Sequence, residues 1–473
     1  MPPARFLRDY WQKRPLLIRN AFARFRNPVA PDDLAGLACE ELALARIVMQ
    51  ESAPVSIQPS LPRTREKCLN GASRSSVAAA TKVDSRVRGN DVAEPLNAPA
   101  SIDRWTLRNG PFAEACFASL PPTHWTLLVQ DVDKWDADVA ALLQPFDFLP
   151  HWRIDDVMVS YAEDGGSVGA HVDQYDVFLL QGLGRRRWQI SVDVHAAKTF
   201  RDDTELKLLR EFTPTHEWVL EPGDMLYLPP GVPHHGVALG ACMTYSIGMR
   251  APSQAELLID FADTLAEVIP ETARLTDPDL LPTRGDGEID EAAIERVKAA
   301  MPWLNWPDQS ASSSSSSRRT QGSSGLLRSR SDAKSRRRER VGNRDGSSGE
   351  LDSSLLRTWF GRFITRYRSA HAVAPNPRPL GDAAFAQAIE QNARVRRNPW
   401  SRCAWMRDGR SAMVFVAGDM HACSVALARL ICTQADFAFG QAPAAARDRA
   451  ALRALIDAGH FALVRPPRKR STA

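Results

Sequence analysis

Short apolar runs alternate with turn residues between residues 103 and 250, a pattern typical of β-strands. The runs are separated by turns that contain Gly, Pro or Asp. The runs are "WTLLVQDV", "DDVMVSYA", "YDVFLLQG", "RRRWQISV", "HEWVLEPGDMLYLPPG" and "MTYSIGMR". Many short strands in succession predict a sandwich or a barrel. We therefore expect this block to form a mainly β domain.

The apolar period becomes helical after residue 252. "AELLIDFADTLAEVI" and "LLRTWFGRFITRY" each have one apolar face and predict helices that pack on each other or on a second copy of the chain. The block 380–467 predicts a helix, a hairpin, two helices and a short strand, an order that suits a small winged-helix-like domain. Because its helix "SVALARLICTQ" has a single arginine, we expect a structural or dimer-supporting role for this domain.

Two stretches, 52–101 and 309–354, have no sustained period and are rich in Ser and Arg. Such segments cannot bury enough apolar surface to offset the entropy of ordering them, so we expect both to be disordered insertions. The following division of the chain results: 1–51 and 102–251 for the β domain, 52–101 and 309–354 for the insertions, 252–308 and 355–378 for a helical region, and 379–473 for the winged-helix-like domain.

The composition is that of a water-soluble globular protein, with 44% hydrophobic and 25% charged residues. The start, "MPPARFLRDYWQKRP", has charges where a signal peptide needs an apolar core, and no apolar run approaches the ~20 residues of a membrane span. We therefore expect a cytoplasmic protein without a membrane partner. The seven cysteines form no CxxC pair, which argues against a disulfide framework or a zinc cage.

The net charge of +4 comes from one segment. Residues 311–350 contain ten Lys or Arg against four acidic residues, so the rest of the chain is slightly acidic. An arginine-rich arm that contacts RNA is one interpretation of this segment. Since no aromatic residue for base stacking is interleaved with the arginines, we favour an inert insertion and do not expect direct nucleic-acid binding.

Candidate chemistry is concentrated in "GAHVDQYDVFLLQGLGRRRWQI", residues 169–190. Residues i and i+2 of a strand point to the same face, so His171 and Asp173 can reach one metal together. The turn in "EPGDMLYLPPGVPHHGVAL" offers a third ligand, His234 or His235. Two imidazoles and one carboxylate on one face of the metal are the ligands of non-haem Fe(II) oxygenases. This pattern predicts a metal site in a cupin-like β-fold.

These motifs, together with "RFLRDYWQKRPLLIRNAF" near the start and "YSIGMRAPS", resemble the JmjC class of 2-oxoglutarate oxygenases. The resemblance is strongest to bacterial ribosomal oxygenases that hydroxylate an arginine of a large-subunit ribosomal protein, and it covers nearly all of the chain except the two insertions. It implies a mainly β fold with α-helices: a cupin/JmjC double-stranded β-helix, a helical dimerisation region and a winged-helix-like C-terminal domain.

The resemblance also implies residue roles. His171, Asp173 and His234 match the iron ligands and so the catalytic centre, and His235 is their neighbour. Arg186 of "GRRRW" matches the arginine that holds the distal carboxylate of the co-substrate. Strand alternation agrees, because Arg186 shares its parity with Trp188 and Ile190, which should face the interior.

Other positions bear on the co-substrate and the substrate. Ala162 stands where the family has a serine beside the co-substrate carboxylate, which puts the affinity for the co-substrate in question. An acid and a tyrosine at the pocket mouth suit a substrate arginine. Asp156 and Tyr175 are our candidates, since they share parity with Ala162 and with His171 respectively.

The function implied is an Fe(II)- and 2-oxoglutarate-dependent dioxygenase that uses O2 to hydroxylate the β-carbon of an arginine in the sixteenth protein of the 50S subunit, working as a homodimer. One alternative keeps the metal and changes the reaction to hydroxylation of another ribosomal residue, such as histidine, or to demethylation. Another is a catalytically inactive ribosome- or RNA-binding cupin module in which the two insertions have disturbed the fold.

Overall fold

The computed structural model describes residues 2–52, 103–278, 280, 289, 291–301, 353–366 and 373–464. They belong to two compact units, Met1–Ala251 and Pro252–Ala473. Almost all of the two expected insertions lies outside the described residues. Ser52, however, ends a strand and Ser353 begins a helix. Within the described part of the chain, no helix is long and apolar enough to cross a bilayer.

The first unit is built around one large sheet. Its strands are β1 (Leu16–Ile18), β2 (Ala45–Ser52), β3 (Asp103–Asn109), β4 (Trp125–Val129), β5 (Ile154–Ala162), β6 (His171–Val172), β7 (Val177–Ile190), β8 (His216–Leu220), β9 (Met225–Leu228) and β10 (Pro233–Met249). Its helices are short: α1 (Pro3–Asp9), α2 (Pro31–Leu37), α3 (Glu114–Ala118), α4 (Val132–Trp135) and α5 (Ala137–Ala141).

The strands pair in the order β1-β9-β7-β10-β5-β4-β2-β3, with β6 on β10 and β8 on β7. All of these pairs are antiparallel. The two runs "YDVFLLQG" and "RRRWQISV" are parts of one strand, β7, whose partner β10 is longer still. These two central strands bring the H-x-D segment, the triple arginine and the "PPGVPHH" turn into one part of the sheet.

A β-bulge interrupts the β7–β10 pairing, where the register shifts between Leu239 and Met243. Gly184 lies at the bulge with φ of 60°, a conformation that L side chains rarely adopt. A Cβ at Gly184 would lie 2.1 Å from the carbonyl oxygen of Ala241. Only glycine therefore fits where β7 bends, two residues before Arg186.

Apolar side chains from one face of the sheet, together with the short helices and the N-terminal segment, form the main core of the first unit. Phe6 of α1 lies against Phe178 and Tyr227, with ring centroids 5.6 and 4.9 Å away. A second, smaller cluster includes Trp188 and Ile190 of β7. The first half of β7 contributes alternate residues to both clusters, so the strand is packed on both of its faces.

The second unit begins with helices. Its helices are α6 (Gln254–Val268), α7 (Glu291–Ala300), α8 (Ser353–Thr365), α9 (Asp382–Glu390), α10 (Val425–Thr433) and α11 (Ala446–Asp457). Its strands are β11 (Arg394–Arg397), β12 (Cys403–Asp408), β13 (Ser411–Val416), β14 (Asp419–Ser424), β15 (Asp436–Ala438) and β16 (Phe461–Val464). They form two three-stranded sheets, β15-β11-β16 and β12-β13-β14.

Helix α6 starts at a capping box, in which Ser253 Oγ accepts a hydrogen bond from the Glu256 backbone N–H at 3.1 Å. It packs on α8 although the expected second insertion separates the two in sequence. Asp260 accepts hydrogen bonds from Trp359 Nε1 at 2.8 Å and from Arg366 at 2.6 Å. The two predicted helices are thus formed and in contact, and α7 lies within the predicted helical region 252–308. The strands β11, β14 and β15 had not been predicted.

Candidate active site

The register of β6 on β10 places His171 directly opposite His234. Their ring centroids are 4.2 Å apart. Strand β6 ends at Val172, so Asp173 follows the strand, and the prediction that one strand presents both ligands is wrong in this detail. Asp173 is held instead by its carbonyl oxygen, which accepts a hydrogen bond from the Gly231 N–H at 2.8 Å. One ligand atom from each of His171, Asp173 and His234 lies within 4.8 Å of the others.

Backbone carbonyls fix both imidazole rings. His171 Nδ1 lies 2.9 Å from the carbonyl oxygen of Gly169, and His234 Nδ1 lies 3.0 Å from that of Val232. Because a carbonyl only accepts, each Nδ1 carries the proton and each Nε2 keeps a lone pair. His234 Nε2 faces Asp173 Oδ2 at 3.7 Å. Two neutral imidazoles and one carboxylate in this arrangement fit an Fe(II)-type ion.

Burial favours the neutral form of the second imidazole. His234 is 2% exposed. Desolvation and the nearby His171 hold the pKa of His234 well below its usual range, so its Nε2 is available to a metal at neutral pH. His235 is outside the three-residue group and lies near Phe212, with ring centroids 6.2 Å apart. Of the two histidines left open by the motif, the structure therefore brings His234 to the metal position.

Arg186 is buried, as the predicted alternation along β7 requires. It is 5% exposed, between the exposed Arg185 and the half-buried Arg187. Among the described residues no carboxylate lies within ion-pair distance of its guanidinium, and its buried Nε has no hydrogen-bond partner. A buried guanidinium costs several kcal/mol unless an anion compensates it. The position therefore fits an anionic ligand.

Trp188 lies between the arginine and the metal position. Its ring centroid is 5.6 Å from Arg186 Cζ and 6.0 Å from the His234 ring. The buried Trp188 Nε1 has no partner among the described residues. Gly236, opposite Trp188 on β10, leaves room for the indole, since a Cβ there would lie 2.7 Å from the ring. The indole thus lies beside both Arg186 and the His234 ring.

Two hydroxyl groups beside Arg186 were not predicted from the sequence. Arg186 Nη1 donates to Ser160 Oγ at 3.3 Å and to Thr244 Oγ1 at 3.4 Å. Ser160 was detectable, because it shares the parity of Asp156 and Ala162 on β5. Ala162 is fully buried in a cluster of small residues with Ala238 and Cys242. Hydroxyl groups are therefore present at the arginine in spite of the alanine at position 162.

The two candidate substrate residues differ in exposure. Asp156 is half-buried, and its Oδ2 accepts a hydrogen bond from the Asp131 N–H at 3.2 Å. Desolvation, followed by the charges of Asp131, Asp155 and Asp133, raises the pKa of Asp156 to about 7.

Tyr175 is 41% exposed. Desolvation of its hydroxyl, followed by the carboxylates of Asp173 and Asp156, raises the pKa of Tyr175. The hydroxyl thus feels the charges of the candidate ligand Asp173 and of Asp156, while the residue as a whole is partly open to solvent.

Comparison with known protein families gives two matches along the chain. A profile for the JmjC domain matches residues 141–257, and a profile for the ROXA-like winged helix matches residues 348–462. The first range contains all of the candidate metal, co-substrate and substrate residues. Both matches agree with the predicted fold class.

Individual proteins are similar over longer ranges. The chain is 34% identical over 304 residues to the ribosomal protein uL16 3-hydroxylase of Escherichia coli (strain K12), which covers 64% of this chain and 67% of that protein. It is 34% identical over 257 residues to a probable ribosomal oxygenase of Haemophilus influenzae, covering 54% and 51%. A solved structure of YcfD, a ribosomal oxygenase from Escherichia coli, in complex with cobalt and 2-oxoglutarate has a TM-score of 0.65 and 27% identity, over 98% of each chain. The predicted fold class is confirmed.

Proposed function

Because this chain belongs to the ribosomal oxygenase family of JmjC proteins, we propose that it is an Fe(II)- and 2-oxoglutarate-dependent hydroxylase of an arginine β-carbon in ribosomal protein uL16. One observation carries the proposal: a buried Arg186 with no acidic partner among the described residues lies on the same sheet as three converging metal ligands. A metal and an anionic co-substrate are what these two features require together.

The first role of the site residues would be to hold the iron. His171, Asp173 and His234 would hold the iron, which when bound activates O2 as the oxo acid is converted to succinate and carbon dioxide. Three protein ligands leave positions for the co-substrate and O2. The carbonyls of Gly169 and Val232 keep both imidazoles in the tautomer that presents Nε2.

The co-substrate would lie between the iron and Arg186. The guanidinium would bind the distal carboxylate as a charge-assisted pair, with the Ser160 hydroxyl at its side. The Trp188 indole and the buried surroundings of Arg186 exclude water from this part of the site. The pair is stronger there than it would be at the surface.

The substrate arginine would reach the site from the side of Tyr175. Asp156 would bind its guanidinium as a carboxylate, and Tyr175 would contact it at the solvent-exposed edge. Both residues would orient the arginine so that its β-carbon faces the metal. These roles make substrate binding separable from co-substrate turnover.

The test combines two measurements on the purified protein. Incubation with Fe(II), 2-oxoglutarate and recombinant uL16 is expected to give succinate and one added oxygen on an arginine of uL16, detected by mass spectrometry. Oxygen on a histidine of another ribosomal protein would favour a different substrate residue, and loss of a methylene would favour demethylation. If neither succinate nor a modified ribosomal protein is formed, the inactive binding module is the better interpretation.

We also propose that the protein works in the cytoplasm as a homodimer that associates through α6. Leu258, Ile259 and Val268 are 65, 63 and 58% exposed, so the helix presents large apolar side chains on the face that does not contact α8. A Leu258→Asp and Ile259→Asp double variant is expected to be monomeric by light scattering at concentrations where the wild type is a dimer. A wild-type monomer would contradict the proposal.

A further inference from the structure

Gln181 is a fully buried polar residue of β7 that the proposed function does not use. Its Nε2 donates to the carbonyl oxygen of Leu183 at 2.8 Å and lies 3.5 Å from that of Gly184. Its Oε1 accepts a hydrogen bond from Thr244 Oγ1 at 3.2 Å. Thr244 is itself 1% exposed and contacts Arg186. A buried chain of hydrogen bonds thus runs from the bulge of β7 to the arginine.

The direction of every hydrogen bond in this chain is fixed. The carbonyl of Leu183 can only accept, so the amide nitrogen of Gln181 must face it and Oε1 must face Thr244. The single proton of the Thr244 hydroxyl then goes to Gln181, which leaves oxygen lone pairs towards Arg186. A guanidinium can only donate, and its Nη1 lies 3.4 Å from Thr244 Oγ1. Each hydrogen bond from Leu183 to Arg186 thus joins one donor to one acceptor.

The bulge explains how the Gln181 side chain can contact both the bulge backbone and Thr244. Gln181 and Arg186 are five positions apart and would face opposite sides of a regular strand. The register of β7 on β10 shifts between Leu239 and Thr244, opposite residues 181–185 of β7, and this change of alternation lets both residues contact Thr244. Gln181 bonds to the carbonyls of that same bulge. It therefore holds both the backbone turn that precedes Arg186 and the hydroxyl that contacts its guanidinium.

We propose that Gln181 is a positioning residue for the co-substrate arginine. It keeps Thr244 as a hydrogen-bond acceptor and so fixes the guanidinium of Arg186 in the orientation that binds the distal carboxylate of 2-oxoglutarate. This inference rests on the proposed function. Both hydroxyl oxygens then act as acceptors for Arg186: Thr244 donates its proton to Gln181, and Ser160 donates its proton to the carbonyl oxygen of Thr244 at 3.4 Å.

The experiment measures the Kd of 2-oxoglutarate for the Co(II)-loaded full-length protein by calorimetry. Gln181→Met and Thr244→Val, which remove the hydrogen bonds at similar volume, are each expected to raise this Kd about tenfold. Thr244→Ser keeps the hydroxyl and should stay near the wild-type value. Because both residues act through one chain of hydrogen bonds, the double variant should bind 2-oxoglutarate no more weakly than the weaker of the two single variants.

Controls separate positioning from folding. Gln189→Met, on the same strand with its amide bonded to Glu217, is expected to leave the Kd unchanged. The Kd of Co(II) itself should be unchanged in every variant, which general loss of structure would not allow. If Gln181→Met fails to fold, the difference between Thr244→Val and Thr244→Ser decides.

The outcomes also separate this inference from the function on which it rests. Wild-type protein that does not bind 2-oxoglutarate overturns the proposed function and this inference together. Wild-type binding with an unchanged Kd in Gln181→Met, or with additive effects in the double variant, overturns the inference alone.

Discussion

Two polar clusters, each built around a buried histidine, have a similar composition and different geometry. The barrel cluster, in the first unit, consists of His171, Asp173, His234 and Arg186. The C-terminal cluster, in the second unit, consists of Ser401, Asp419 and His460. In each, a histidine at most 5% exposed has its Nε2 3.7 Å from an aspartate oxygen. Burial lowers the pKa of both His234 and His460.

The difference between the clusters lies in what surrounds the second nitrogen and the carboxylate. His234 Nδ1 faces a carbonyl, whereas His460 Nδ1 lies 2.9 Å from the hydroxyl of Ser401. The barrel cluster has a second imidazole, and in the described part of the chain it is the group that brings three metal-ligating residues together. Asp419 points largely to solvent, with 66% of its side chain exposed. A buried histidine beside an aspartate therefore indicates a metal site only where a third ligand converges.

Replacing the two histidines is the strongest way to break the comparison. His234→Ala is expected to reduce succinate formation to the iron-free background and to abolish Co(II) binding, because the carboxylate and one imidazole remain on an incomplete site. His460→Ala should leave both unchanged. Calorimetric Co(II) titration and a succinate assay check the pair. Equal loss in the two variants would show that His460 supports activity through the fold.

The second prediction concerns Arg186, which has no acidic partner among the described residues. Arg186→Met is expected to raise the KM for 2-oxoglutarate about 100-fold, since a buried charge-assisted pair is lost. Its matched control is Arg185→Met, which removes an exposed arginine one residue away and should change little. Initial rates of succinate formation at varied 2-oxoglutarate give both values. Similar KM values for the two variants would place the carboxylate elsewhere.

A pH profile tests the substrate side of the barrel cluster. Since the pKa of Asp156 is raised to about 7, its carboxyl becomes protonated and loses its charge as the pH falls below that value. We expect kcat/KM for uL16 to fall about tenfold per pH unit on the acid side. Asp156→Asn should weaken uL16 hydroxylation and remove this step in the profile.

Turnover of 2-oxoglutarate without uL16 is the control for that profile, because it does not require Asp156. The same acid-side step in substrate-free turnover would assign the titration to another group.

The smallest effect is expected in the C-terminal cluster. Ser401→Ala removes the hydroxyl from His460 Nδ1 and should lower the free energy of unfolding by about 1 kcal/mol, the usual net value of one hydrogen bond. Urea unfolding measures this change. Succinate formation should be unaltered, and a loss of activity would contradict a purely structural role for this cluster.

Much of the fold could be predicted from the sequence, because alternation and helical period are local properties. The strands β4, β5, β7, β8, β9 and β10 and the helices α6, α8 and α10 correspond to runs quoted above. The missed strands are short or poorly patterned, such as the two-residue β6. Its pairing with β10, rather than its own sequence, makes it a strand. Such elements depend on partners that are distant in the chain.

The candidate site shows the same limit. His171, Asp173 and His234 could be proposed because the H-x-D motif and the "PPGVPH" turn are conspicuous in the sequence. Thr244 and Gln181 could not, since an isolated Thr or Gln in an apolar run has no signal of its own. Their role depends on the bulge across residues 181–185 of β7, over which the pairing with β10 shifts by one residue.

The sequence by itself determined the types of ligand, the inward side of Arg186 and the order of the domains, because residue chemistry and strand alternation operate over a few positions. Only the tertiary structure decided which atoms meet. The β6–β10 register sets His171 opposite His234, the carbonyls of Gly169 and Val232 choose the imidazole tautomer, and the bulge of β7 brings Gln181 to Thr244. These contacts join residues far apart in the chain, and their hydrogen bonds are specified only once the strands are paired.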